Sequence, residues 1–167
     1  MKSFINQTHL LRLSLVLVAF TLGATRAGAQ SYTVTDLGTL GANDRGNYSQ
    51  AFGINQSGQV VGQSSAPSKA MTDPVFLYSG GQLTSLGTLG GEYGQGRGIN
   101  AGGQIAGYST LASGSYRAFL YTGGQMIDLG TPGSDYSVAY GLNHDGQGVG
   151  TSQPEAGEEH GFRYTGG

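Results

Sequence analysis

The chain has 167 residues, a formal charge of −2 from eight Lys and Arg against ten Asp and Glu, and 32 glycines but no cysteine. The lack of cysteine excludes disulfide scaffolds, thiolate nucleophiles and cysteine-ligated metal centres. Glycine has no three-residue period, which excludes collagen, and the 10% aromatic content argues against simple disorder.

The first 29 residues have the three parts of a secretory signal peptide. Basic residues precede the apolar run 13–22, and small residues follow at 27–29. The alternative is a membrane anchor, but the run is about half of the roughly 20 residues that a helix needs to cross a bilayer. We therefore expect a signal peptide over 1–29 and a single domain over 30–167. Its expected location is extracellular, with the periplasm or the cell surface as alternatives.

The mature chain is acidic. Removal of the signal peptide leaves five basic against ten acidic residues, a formal charge of −5. That balance argues against a phosphate-neutralising surface, so no nucleic-acid partner is expected. No second apolar stretch follows, so we expect no membrane span after signal removal.

A period of about 45 residues organises the mature chain. Gly53-Ile54-Asn55 recurs as Gly98-Ile99-Asn100 and as Gly141-Leu142-Asn143. Each triplet is followed by a Gly-Gln element and, after a variable loop, by an aromatic element with Gly-Gly behind it. These lie at 58–62, 103–107 and 146–150, and at 75–81, 118–124 and 161–167. A fourth element contains the triplet Leu-Gly-Thr. It occupies 83–90 and 126–133, and it appears once before the first repeat at 34–41.

Each element has strand length and is bounded by glycine, and no stretch shows helical spacing of apolar residues. We therefore predict an all-β chain with less than about 10% helix. In the fourth element Leu83 and Leu86 are three residues apart, which predicts a bend that tucks in the second leucine. In the aromatic element Leu77 and Leu120 correspond to Arg163, which predicts that the last repeat lies at an open end with Arg163 in solvent.

Four strand-length elements in each period of about 45 residues favour three four-stranded antiparallel repeats. These resemble β-propeller blades in an open or incomplete array. The expected repeats are 42–87, 91–130 and 134–167, with an additional N-terminal strand at 32–38 that could complete the last repeat. The main alternative is a β-trefoil, which is also threefold with four strands per repeat. An open solenoid of hairpins is the third architecture.

The turns inside each repeat have a backbone explanation. Asn at the first position can bond its own backbone two residues on, and Gly at the fourth can take a positive φ. We assign these six residues a structural role: Asn55, Gly58, Asn100, Gly103, Asn143 and Gly146.

Together these elements resemble the bacterial HAF-type extracellular repeat family over essentially all of residues 32–167. The His-Ala-Phe triplet that names the family is nowhere intact, and only its Phe is kept, at Phe76, Phe119 and Phe162. The resemblance implies a secreted or surface-exposed bacterial protein, and it brings no catalytic residue and no ligand.

Catalytic motifs are absent from the sequence, which has neither a Gly-x-Ser-x-Gly elbow nor a phosphate-binding loop. The turn 143–146 is weakly similar to a calcium loop but has too few oxygen ligands. The loop of Glu155, Glu158, Glu159 and His160 could hold a cation or the paired acids of a glycosidase, although a solvated loop is the simpler interpretation. We therefore expect no catalytic residue, cofactor or metal.

Three tyrosines are the candidate ligand-binding residues. Tyr48, Tyr93 and Tyr136 occupy corresponding loops, where aromatic rings could form a platform for sugars. The alternative is that each ring caps the core of its own repeat. The first functional hypothesis is a secreted non-catalytic protein with a structural or interaction role; a lectin-like carbohydrate-binding module comes second, and a hydrolase is a remote third. The expected partners are a second copy, an extracellular glycan or an extracellular protein.

Overall fold

The computed structural model describes residues 31–67, 72–133, 135–153 and 157–166. The expected signal peptide and Glu155 lie outside these residues. The chain divides into two units, 1–34 and 35–167; the described residues of the first, 31–34, are exposed. No described residue is helical, which confirms the all-β prediction.

Eleven strands in the described ranges form three antiparallel sheets. The first contains β1 (Ser49–Ile54), β2 (Val60–Ser64), β3 (Val75–Ser79) and β4 (Gln82–Gly87). The second contains β5 (Gly90–Ile99), β6 (Ile105–Leu111), β7 (Tyr116–Thr122) and β8 (Gln125–Asp128). The third contains β9 (Ser137–Leu142), β10 (Gly148–Ser152) and β11 (His160–Tyr164). Within each sheet, strands adjacent in sequence are hydrogen-bonded neighbours.

Two apolar clusters join the sheets face to face. Val61 and Val75 of the first sheet pack with Ile105 and Phe119 of the second. Ala106 and Ala118, on the opposite side of the second sheet, pack with Ala139 of the third. The sheets do not close into a barrel. This arrangement confirms blade-like antiparallel repeats in an open array, with four strands in the first two sheets and three in the third, and it is not the hairpin barrel of a β-trefoil.

A glycine on the second strand makes room for the phenylalanine on the third strand of each sheet. A Cβ at Gly62 would lie 2.7 Å from Cε1 of Phe76, and a Cβ at Gly107 would lie 2.9 Å from Cε1 of Phe119. The third sheet repeats the arrangement with Gly150 and Phe162. The ring therefore lies against the glycine backbone, in space that a side chain at the glycine would occupy, which explains why Phe is kept in every repeat.

The Asn turns form a column of hydrogen bonds between sheets, defined here as the asparagine column. Nδ2 of Asn55 donates to the carbonyl oxygen of Asn100 at 3.0 Å, and Nδ2 of Asn100 donates to that of Asn143 at 3.0 Å. Each Asn Nδ2 also donates to the Gln four residues on. The turn glycines Gly58, Gly103 and Gly146 all have positive φ, between 73° and 78°. One residue type thus shapes the turn and ties it to the next sheet.

The predicted N-terminal strand at 32–38 is wrong. Residues 31–39 form no strand, whereas the same sequence element forms β4 and β8 by pairing with β3 and β7. A strand needs a hydrogen-bonded neighbour, and the segment has none in the described residues. The third sheet has three strands accordingly, and β11 pairs with β10 alone.

Two details at strand level agree with the spacing of apolar residues. The register of β3 and β4 shifts so that Leu86 is the extra residue of a bulge, and Leu86 packs against the first core cluster. Arg163 is exposed, which confirms that the third sheet lies at an open end of the stack.

Candidate binding groove on the second sheet

The three predicted tyrosines are half-buried and contact different partners. Tyr48 lies just before β1, Tyr93 is in β5, and Tyr136 lies just before β9. No ring contact joins these three among the described residues; the tyrosine pairs found there are Tyr108 with Tyr116 and Tyr116 with Tyr136. The rings of the three candidates therefore have different direct neighbours, although Tyr48 and Tyr93 both lie near Arg45.

Tyr48 faces a polar cluster inside the stack. Nε2 of Gln63 lies 3.5 Å from the Tyr48 hydroxyl, and the backbone N–H of Tyr48 donates to Oγ of Ser65 at 3.0 Å. Burial, followed by the hydrogen bond to Asp73, raises the pKa of Tyr48 to about 12. The Tyr48 hydroxyl therefore contacts polar groups of its own repeat.

The carboxylate of Asp73 is fully buried and organises the loop before β3. It accepts hydrogen bonds from Nδ2 of Asn43 at 2.9 Å and from Nη1 of Arg45 at 3.0 Å. Arg45 also donates to Glu92 at 2.9 Å, and this bond is the main cause of the raised pKa of Arg45. The backbone of Asp73 pairs with β5 of the second sheet. The cluster therefore fastens the two sheets together.

Tyr93 lies where this cluster meets a groove. The guanidinium of Arg45 stands 4.7 Å from the centre of the Tyr93 ring, an arrangement typical of cation–π attraction. Tyr93 and Tyr116 line an open groove of about 540 Å³ on the second sheet, with Glu92 at the same surface. Its other walls carry hydroxyl groups and glycine backbone: Thr72, Thr110, Ser113, Gly90, Gly91 and Gly114. Aromatic faces beside hydroxyl and carboxylate groups suit a polyhydroxylated ligand.

Tyr116 was not predicted from the sequence, although its ring connects two of the aromatic contacts. It lies 5.7 Å from Tyr108 and 6.2 Å from Tyr136, centre to centre. Burial raises the pKa of Tyr136. Tyr116 occupies the position that Asp73 and Glu159 hold in the other repeats, so the repeat pattern carried no signal for it.

The bulges place a second set of side chains at corresponding positions. The extra residues are Phe52 in β1, Arg97 in β5 and Tyr140 in β9. The guanidinium of Arg97 lies 4.9 Å from the Phe52 ring centre and 5.6 Å from that of Tyr108. Phe52 and Tyr140 are exposed. The spacing of residues in the sequence does not reveal these bulges, because a bulge is a property of the pairing.

The acidic and histidine residues considered for metals or acid chemistry are solvated where the structure describes them. His144 lies 3.9 Å from Asp145, and His160 lies 3.8 Å from Glu158, with all four side chains mostly exposed. Within the described ranges no three His, Cys, Asp or Glu side chains converge on a point that could hold a metal ion.

The described residues include no helix that is both long and apolar enough to cross a lipid bilayer. Comparison with protein-family models, with curated proteins and with solved structures finds no match for the chain.

Proposed function

We propose that the chain is an extracellular, non-catalytic repeat protein with a structural or interaction role, and that it acts by binding; the HAF-type resemblance supports the extracellular location. The basis is the N-terminal segment, the threefold repeat and a catalytic inventory without a recognisable motif. Stacked sheets joined by side chain to backbone hydrogen bonds suit a scaffold that presents loops to a partner.

The groove supports a carbohydrate as the ligand class. The single observation that carries this candidate is the joint presence of Tyr93 and Tyr116 in one open groove with Glu92 and several hydroxyl groups. Sugar rings stack on aromatic faces through their C–H surfaces, while their hydroxyl groups need donors and acceptors nearby. This candidate replaces the three-tyrosine platform, because Tyr48 is turned into the polar cluster and Tyr136 does not line the groove.

A glycan array followed by titration with the best-binding oligosaccharide tests this candidate on the full chain. We expect Tyr93→Ala and Tyr116→Ala each to weaken binding about tenfold or more, the loss of one stacking contact. The matched control is Tyr140→Ala, which removes an exposed ring outside the groove and leaves affinity unchanged. An array without binding, or binding that survives both groove variants, rejects the sugar site.

A further inference from the structure

The stack has two uncovered faces that correspond to the two sides of its internal seams. The leading face belongs to the first sheet and carries Phe52, Ile54 and Val60 around an apolar hollow of about 320 Å³. The trailing face belongs to the third sheet and carries Val149, Arg163 and the backbone of Gly141 beside a hollow of about 390 Å³. Within the described residues neither face has a sheet packed against it.

Equivalent residues show what the trailing face lacks. Val61, Ala106 and Val149 occupy the same position on the second strand of the three sheets. Val61 is 0% exposed because the second sheet covers it, and Ala106 is 1% exposed because the third sheet covers it. Val149 is 54% exposed. An apolar side chain that is buried in two sheets is left in water in the third.

The leading face shows the reciprocal deficit. Ile99 packs against the core of the first seam and Leu142 against that of the second. Their equivalent, Ile54, is 69% exposed, and most of β1 is exposed with it, whereas β5 and β9 each carry three consecutive buried residues. The first strand of the second and of the third sheet therefore packs against the face of the preceding sheet. β1, the first strand of the first sheet, has no preceding sheet to pack against.

A column of glycines sets how closely the sheets approach. A Cβ at Gly53 would lie 2.9 Å from the carbonyl oxygen of Arg97 and 3.3 Å from Cα of Gly98. A Cβ at Gly98 would lie 3.1 Å from Cα of Gly141. A Cβ at the third member, Gly141, would meet no atom of the described chain within 4 Å. Its bare backbone is shaped for a neighbouring strand that this single copy does not supply.

The asparagine column ends on the same face. Nδ2 of Asn143 donates to Oε1 of Gln147 at 2.9 Å, but the second bond that Asn55 and Asn100 make to the next sheet's carbonyl has no counterpart there among the described residues. In a third seam, that acceptor would be the carbonyl oxygen of Asn55 from a following first sheet.

We propose that the trailing face binds the leading face of a second copy of this chain, head to tail. The hollow on the trailing face of one copy takes Ile54 of the other copy. Gly141 abuts Gly53 of the other copy, and Nδ2 of Asn143 donates to its Asn55 carbonyl oxygen, so the third seam repeats the first two. Two copies bring six sheets together, a number within the four to eight blades of closed propellers, and the two identical seams close the ring.

The same geometry gives residues 35–38 a strand partner. Their counterparts in β4 and β8 pair with β3 and β7, and β11 offers the equivalent edge. Arg163 lies on this face beside Val149, and its counterparts are Leu77, which is half-buried in the first seam, and Leu120, which is 7% exposed in the second. In the third seam the aliphatic part of Arg163 would take their place, and the length of the side chain lets its guanidinium reach water at the rim.

Light scattering after size exclusion, with sedimentation velocity, tests the proposal on the full chain. We expect a particle of twice the chain mass. Gly141→Val adds bulk where the single copy has open space, and Ile54→Asp adds charge at an exposed site, so both variants should stay folded and at least about 90% monomeric. Gln125→Val, a change at an exposed position of β8 that lines neither the groove nor either face, should remain a dimer.

Circular dichroism confirms that each variant is folded. A monomeric parent chain, or a dimer that both interface variants leave intact, overturns the proposal, and a larger open polymer overturns the two-copy ring. The inference does not rest on the sugar site, because Tyr93 and Tyr116 are not part of either face. Loss of glycan binding and loss of pairing are therefore distinguishable outcomes.

Discussion

At the scale of the residue, glycine has two structural roles in this chain, in turns and in close packing, which the composition alone does not distinguish. Gly58 and its counterparts turn the chain at positive φ, whereas Gly107 and its counterparts leave space for a ring and a neighbouring carbonyl. The two duties predict different responses to the same substitution.

Gly107→Ala tests the packing role. The added methyl would overlap the carbonyl oxygen of Gln95 and lie 2.9 Å from Cε1 of Phe119, so we expect a loss of about 1–3 kcal/mol or more in the free energy of unfolding. Gly148→Ala is the control, because its nearest atom would be the Gly141 carbonyl oxygen at 3.5 Å. There stability should stay the same or rise by up to about 1 kcal/mol. Urea denaturation measures both, and equal effects would refute the packing explanation.

The phenol of Tyr48 gives the fold an alkaline limit. Because its pKa in the folded chain is raised from 10.0 to about 12, the unfolded chain loses this proton first as the pH rises. The contribution to stability is complete below about pH 10 and is lost progressively up to about pH 12. Denaturation midpoints across this range should fall, and the slope should be shallower in Tyr48→Phe. A variant with the parent's slope would assign the alkaline loss to other groups.

At the scale of the element, we expect the buried carboxylate before β3 to contribute more to stability than its neighbour on the surface. Asp73 and Glu92 share Arg45 as a partner, but Asp73 is fully buried and the Glu92 side chain is 53% exposed. Because both carboxylates pair with the same arginine, a comparison of the two separates the effect of burial from that of the partner.

Asp73→Ala leaves Arg45 and Asn43 without their buried acceptor, so we expect a loss of about 3–5 kcal/mol in the free energy of unfolding. Glu92→Ala removes an exposed ion pair and should cost less than about 1 kcal/mol. Thermal and urea denaturation at two salt concentrations measure the difference. Similar losses in the two variants would show that the cluster does not fasten the sheets.

The elements were predictable from the sequence because each strand pairs with its neighbour in the chain. Repeated glycine and asparagine marked the hairpins, and the irregular spacing of Leu83 and Leu86 marked a bulge. The strand predicted at 32–38 does not form, since its pattern is that of a strand but a strand also needs a neighbouring edge to pair with. Propensity needs a partner to become structure.

The groove could not be predicted, because it depends on residues that the repeats do not share. Asp73, Tyr116 and Glu159 hold one repeat position with three different side chains. Tyr48, Tyr93 and Tyr136 are alike in sequence, but each is placed by a different neighbour: Gln63, Arg45 and Tyr116. Sequence periodicity therefore located the rings and not the residues around them.

At the scale of the whole molecule, the proposed extracellular location depends on the N-terminal segment acting as a signal peptide. We predict that the exported product begins at Gln30 or within a few residues of it, because the small residues 27–29 follow a short apolar run. N-terminal sequencing and intact mass of protein from the culture medium or periplasm measure this. A product that keeps residues 1–29 would indicate an anchored protein.

The asparagine column has a consequence for the evolution of the number of repeats. It joins one turn to the next through a side chain and a backbone carbonyl, so the joint does not depend on which apolar residues fill the seam. Val61, Ala106 and Val149 can differ while the joint is kept. A duplicated unit of about 45 residues would carry its own connector at both ends, so gene segments can be gained or lost without redesigning the neighbours.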